Sequence, residues 1–163
     1  MSWGSEMAVV KDLLKFIVAT LICLGASWLG AKYTLSSFVW YHNLNKPWFN
    51  PAAHTFEPVW IALYLMMSLS LFLVWRQSER KDVRFALSLF GLQLLLNVMW
   101  SWIFFGLQSP FWATVEIMVL IVVIGFTIYH FYRFSKWAAI LLVPYFFRTG
   151  YEALLTYLIW RMN

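Results

Sequence analysis

The sequence predicts an all-α integral membrane protein, a five-transmembrane-helix bundle with a long first loop acting as a lid. Three observations carry that expectation. Of 163 residues, 63% are hydrophobic and only 12% charged, with mean hydropathy +0.71, so there are too few solvating groups to cover a water-soluble globule. Disorder is excluded by the same figures. Apolar runs recur at about 13–33, 57–75, 84–106, 111–132 and 137–160, each long enough to cross a hydrocarbon core of ~30 Å at ~1.5 Å per residue. Finally, 11 Trp, 15 Phe and 8 Tyr make 21% of the chain aromatic, more than two interfacial belts require. Residues 1–163 are read as one transmembrane domain.

The first run follows Lys11 and Lys15, as a signal peptide would, but it is long and lacks a clear small-x-small cleavage site, so it is read as the first span. Ala26 and Gly30 give it a small-xxx-small pair, a weak sign of helix association. Residues 33–56 have no apolar period but carry Trp40, Tyr41, Pro47, Trp48, Phe49 and Pro51. A loop of that length is functional or disordered, and its aromatic content argues against disorder. We expect it to fold onto the outer ends of the helices.

Glu57 and Pro58 suit the first turn of the second span, and Arg76 to Arg84 form a charged turn after it. In the third span, Gln93, Asn97 and Ser101 recur at spacing four, which places them along one face of an otherwise apolar helix. Such a stripe avoids lipid, and either bonds a neighbouring helix or points into a cavity. Ser109 and Pro110 break the third span from the fourth, which carries Glu116 near its outer end. Arg133, Ser135 and Lys136 mark the next connection, and Pro144 interrupts the fifth span with an expected kink. Arg148 and Glu152 follow at spacing four, where a charge costs roughly 2.5–3.5 kcal/mol. They should pair with each other or face a cavity, with Arg148 offering a bidentate partner to a ligand carboxylate.

With five spans, Lys11, Lys15, Arg76, Arg80, Lys81, Arg84, Arg133 and Lys136 share one side, and Lys32, Lys46 and Arg161 the other. The imbalance predicts a cytoplasmic amino terminus and a carboxyl terminus across a bacterial cell membrane or an organellar one. On that topology Trp40, Trp48, Trp60, Trp100, Trp102, Trp112 and Trp160 gather in the outer half, and Trp75 and Trp137 mark the inner interface. An aromatic outer half suits a pocket for a flat hydrophobic ligand. The net charge of +5 is read as an orientation signal rather than a nucleic-acid footprint. Cys23 stands alone, and His42, His54 and His130 are too separated for a triad or metal site, so no metal or required cofactor is expected.

The runs WYHNLNKPWFNP (40–51), FEPVWIALYLMM (56–67), QLLLNVMWSWIFF (93–105) and LLVPYFF (141–147) resemble the tryptophan-rich sensory protein and translocator protein family, in order and over nearly the whole chain. The resemblance implies a five-helix bundle, usually a homodimer, whose first loop covers a pocket for tetrapyrroles such as protoporphyrin IX and haem, and for sterols. It also implies links to tetrapyrrole and sterol transport, to stress signalling and, in some bacteria, to light-dependent porphyrin degradation. Carried over by position, the pocket takes Tyr41, Trp60, Tyr64, Asn97 and Trp100, and Phe147, Arg148 and Glu152 complete the candidate set. Arg148 stands where the family usually has Trp or another aromatic or apolar residue, and Glu152 where it has a small one. Thr156, Met67 and Ala52 replace a common Asn, Gly and second loop proline. Exchanging an aromatic wall for Arg makes a sterol a poorer fit and an acidic ligand a better one.

Three functions follow as expectations. The first is a receptor or transporter-like binder of tetrapyrroles or other planar hydrophobic ligands. The second is a porphyrin-degrading photochemical enzyme using Trp60 and Trp100. The third is a sterol-binding or regulatory partner protein, to which Leu154, Tyr157 and Arg161 add only a loose sterol-contact pattern.

Overall fold

A computed structural model describes the backbone of residues 3–51 and 53–163 and, except at 3–5 and 53–57, their side chains. Ala52 and the side chains of His54, Phe56 and Glu57 therefore lie outside the described residues. The elements are α1 (Trp3–Ser36), the short α2 (Phe38–Asn43), α3 (Ala53–Trp75), a 3-10 turn (Arg76–Glu79), α4 (Arg84–Ser101), a π turn (Trp102–Gly106), α5 (Pro110–Tyr132) and α6 (Lys136–Met162). No strand occurs among the described residues. Four segments, Pro58–Glu79, Arg84–Gly106, Pro110–Tyr132 and Lys136–Met162, are long and apolar enough to cross a membrane.

The longer helices pack as a closed ring in the order α1, α3, α6, α5, α4 and back to α1. Each is apolar nearly all round, so burial selects a narrow stripe rather than an amphipathic face. The stripe repeats at three and four: Ala19, Cys23, Ala26 on α1; Phe90, Gln93, Asn97, Trp100, Phe104 along α4 and its π turn; Ala113, Ile117, Leu120, Ile124, Thr127, Phe131 on α5; Ala138, Leu142, Tyr145, Thr149, Glu152, Thr156, Ile159 on α6. That spacing is the seam of helices crossing at shallow angles. On α1 the seam is built of small residues, and Gly30 continues it: a Cβ there would come within 3.2 Å of Ser101 Oγ on α4. The small pair at 26 and 30 is thus used inside the chain to bring α1 against its neighbours.

Two sequence expectations change. The first helix runs 34 residues, so at ~1.5 Å per residue it reaches about 50 Å, well beyond a bilayer core. Its polar start is held by ion pairs of Lys11 and Lys15 with Glu79 and of Asp12 with Arg76, on the turn after α3. The expected loop over 33–56 is mostly helical: α1 continues to Ser36, α2 follows, and α3 begins at Ala53, which moves Pro58 from a first turn into the helix interior. The helical period was hidden there because Trp40 and Tyr41 pack against the π turn rather than into a lipid-facing stripe. Other boundaries match: α5 starts at Pro110, and Ser135 Oγ caps α6 by accepting from Ala138 N at 3.3 Å. Helix α6 continues through Pro144.

Candidate functional site

The site begins at the end of α4. Trp102 to Gly106 widen into a π turn, and Gly106 is the residue that allows it, since a Cβ would lie 2.9 Å from Trp102 Cδ1. The chain then reverses through Gln108, whose φ of 51° is left-handed, into Ser109 and Pro110. The bulge presents Phe104 and Phe105 inward, and α2 settles on them: Ser37 Oγ donates to Phe105 O at 2.7 Å, and the Tyr41 ring lies 5.6 Å from Phe105 and 6.1 Å from Phe104. Burial pushes the Tyr41 phenol above its usual range. Its hydroxyl donates to Asn50 Oδ1 at 3.0 Å. Lys46 fixes the end of α2 by donating to the carbonyls of Tyr41, His42 and Leu44 at 2.8, 3.0 and 2.8 Å. Tyr151 OH donates to Phe49 O at 2.7 Å, and the Asn45 backbone and the Asn163 side chain exchange two bonds, so residues 44–51 are tied to the end of α6.

Two adjoining cavities lie at this end of the bundle, and this segment forms a wall of the second only. The first, about 280 Å³, sits between α1, α3 and α4, walled by Trp28, Trp60, Tyr64, Asn97, Trp100 and Ser101 among others. The second, about 310 Å³, sits between α2, the π turn and α6, and includes Tyr41, Lys46, Asn50, Trp100, Phe104 and Glu152. Thr34, Leu35 and Trp100 belong to both walls, so the Trp100 indole, stacked on Phe104 at 5.3 Å, is part of the partition.

A buried polar chain supports the first cavity. Tyr64 OH on α3 donates to Asn97 Oδ1 on α4 through a short bond, and Asn97 Nδ2 donates to Tyr145 OH on α6 at 3.0 Å. Three helices are thereby locked at one level. Gln93, one turn along the same stripe, is fully buried, as is most of Glu116; neither side chain has a hydrogen-bond partner among the described residues.

The sequence-derived residues are distributed as follows. Trp60, Tyr64, Asn97 and Trp100 line the first cavity; Tyr41, Trp100 and Glu152 line the second. Arg148 lines neither. Its guanidinium lies over the Trp60 and Tyr151 rings, 5.6 and 5.1 Å from their centroids, and its Nη2 meets Glu152 Oε1 at 2.5 Å. Phe147 is 69% exposed and touches neither cavity. Much of the tryptophan excess also faces outward: Trp28, Trp48, Trp112 and Trp137 are exposed, Trp48 at 95%. Sequence reading missed Tyr145, whose hydroxyl completes the polar chain, and the Phe104 and Phe105 pair. The spacing of Tyr145 from Thr149 and Glu152 along one α6 stripe was the available signal.

Residues 18–161 match the model of the TspO/MBR family. The chain belongs to that family. It is 36% identical over 158 residues to the tryptophan-rich protein TspO of Chlorobaculum tepidum, covering 94% of this chain and 98% of that one. Identity to the TspO of Archaeoglobus fulgidus is 33%, over 93% and 99% of the two chains. The translocator protein of Bos taurus is 32% identical over 83% of this chain and 82% of its own. TspO/MBR membership and four segments able to cross a bilayer together make this a multi-pass membrane protein.

Proposed function

We propose that this TspO/MBR protein binds a tetrapyrrole, such as protoporphyrin IX or haem, or a comparably planar hydrophobic molecule, in the outer half of a five-span bundle. The segment 37–51 acts as its lid, the amino terminus lies in the cytoplasm, and the role is transport or sensing of the ligand. The observation that carries this reading is the pair of aromatic-walled cavities meeting at Trp100. Ligand pockets generally span about 300–1,000 Å³, so either cavity alone is at the lower edge and a macrocycle needs both. Displacing the Trp100 indole joins them. The relatives' names, translocator protein and tryptophan-rich sensory protein, accord with movement or sensing of a ligand. A homodimer is the expected assembly in the bilayer.

The test is a titration of the purified protein in nanodiscs with protoporphyrin IX, followed by quenching of tryptophan fluorescence. Saturable quenching that weakens in Trp100→Ala and Tyr41→Ala is expected; quenching that never saturates, or is indifferent to both, overturns the proposal. One observation favours a second, enzymatic reading. Trp60 lies 6.0 Å from Tyr64 and 6.4 Å from Tyr145, a relay of oxidisable rings beside the first cavity. Light-dependent loss of bound porphyrin that requires Trp60 or Trp100 would establish it, and porphyrin stable under illumination would reject it.

A further inference from the structure

The ionic pair on α6 gives the second cavity a polarity that the composition of the chain does not suggest. The chain is basic overall, and two of its cations, Lys46 and Arg148, stand at this end. Lys46 has no N–H donor left for a ligand, and Arg148 is not on the wall of the second cavity. The ammonium of Lys46 has three N–H donors and bonds three backbone carbonyls at the end of α2, while its charge sits 5.0 Å from the centre of the Tyr41 ring. The Arg148 guanidinium lies between the Trp60 and Tyr151 rings and is held by Glu152. Glu152, by contrast, is on the wall of the second cavity. It is a buried carboxylate at 5% exposure whose Oε1 is ion-paired with Arg148 but accepts no hydrogen bond among the described residues, so acceptor capacity remains on it. The pair is neutral as a whole but is oriented with its negative end to the cavity and its positive end among the rings.

The other ionisable groups on that wall are Lys46, which keeps its charge although its donors are bonded to backbone carbonyls, Tyr41, whose hydroxyl already donates to Asn50, and His42. Around them are Phe38, Trp100, Phe104, Phe105, Leu155 and Ile159, so water has little access to screen the carboxylate. We infer that Glu152 selects the ligand of the second cavity: a hydrophobic molecule presenting a protonated amine or another N–H donor to this carboxylate, in preference to one presenting a carboxylate of its own. This rests on the proposed pocket and specifies its chemistry, and it reverses the preference for acidic ligands that Arg148 suggests in the sequence.

The experiment compares three porphyrins of one skeleton, bearing carboxylate, methyl-ester or primary-ammonium side arms. They are titrated into the full-length protein in nanodiscs of a zwitterionic lipid, with tryptophan quenching as the readout. In the unmodified protein the ammonium form should bind tightest and the carboxylate form weakest. Because a hydrogen bond to a charged group contributes strongly in a dry site, the ammonium-to-carboxylate affinity ratio should fall about tenfold or more in Glu152→Gln. That variant leaves Arg148 without its carboxylate, so the double variant Arg148→Leu/Glu152→Gln, which removes both charges, is measured alongside and should show the same fall. A carboxylate form that binds as well as the ammonium form, or a ratio that survives both variants, overturns the inference while leaving porphyrin binding intact. Failure of all three porphyrins to bind overturns the proposed function, and this inference with it.

Discussion

Replacing Asn97 with Leu, which keeps the number and branching of side-chain heavy atoms, should loosen the junction of three helices. Asn97 joins Tyr64 on α3 to Tyr145 on α6, and all three side chains are buried, Tyr145 completely. Interhelical hydrogen bonds inside membrane bundles contribute about 0.6 kcal/mol on average and up to ~1.7 each. Two are lost, and the tyrosine hydroxyls left behind stay out of reach of water, so the expected cost is about 1–3 kcal/mol. For a chain of this length ~1 kcal/mol corresponds to roughly 2–4 °C, which gives a fall in Tm of roughly 2–12 °C, read by circular dichroism in detergent. The decisive measurement is the double-mutant cycle with Tyr64→Phe. Side chains that share a bond should couple by at least ~0.5 kcal/mol, so the double variant should be less damaged than the sum of the singles. Strict additivity, or a Tm within about 1 °C of the parent for Asn97→Leu, would refute the role given to this chain of bonds.

Other outcomes follow from single contacts. Gly106→Ala places a methyl 2.9 Å from Trp102 and should lower stability by about 1–3 kcal/mol through overpacking, seen as a reduced Tm; an unchanged Tm would mean that Trp102 simply rotates away. Lys46→Met removes three bonds to the end of α2 and should speed amide exchange over 41–46 with little change in global unfolding. Asp82 is held below the usual carboxylate range by the Arg84 backbone N–H and then by the Arg84 guanidinium. Because its folded-state value is depressed, its support for the start of α4 is present above about pH 4 and lost as pH falls through the folded value. Amide exchange at 84–87 should accelerate with acid in the parent and be nearly pH-independent, beyond the intrinsic chemistry, in Asp82→Asn.

Much of the architecture was legible in the chain because lipid imposes it. A run such as 111–132 has one structure available in hydrocarbon, a helix, and Ser109 with Pro110 marks where it starts. The polar stripe of Gln93, Asn97 and Ser101 likewise disclosed which face of α4 turns inward, since those groups avoid lipid. The segment 33–56 was less legible. Its aromatic residues pack on the π turn, a partner with no periodic signature, so its two helical parts left no pattern to read. Phe147 and Arg148 illustrate the same limit on a helix that is apolar nearly all round: adjacent residues differ by ~100° in direction, and only packing against α3 and α5 decides which of them faces in.

What the sequence determined alone was the solvent, the helical composition, and the residue types available at the outer end. Those depend on local hydropathy and on the need of every backbone group for a partner in lipid. The tertiary structure decided direction and pairing. It divided the expected pocket into two cavities at Trp100, assigned the Lys46 donors to backbone carbonyls, and turned Glu152 rather than Arg148 toward the second cavity. The reason is physical: a charged side chain buried among helices is oriented by the partners that best offset its desolvation. For Arg148 these include the Tyr151 ring and the Glu152 carboxylate on its own helix, and the Trp60 ring, which arrives only when α3 packs against α6.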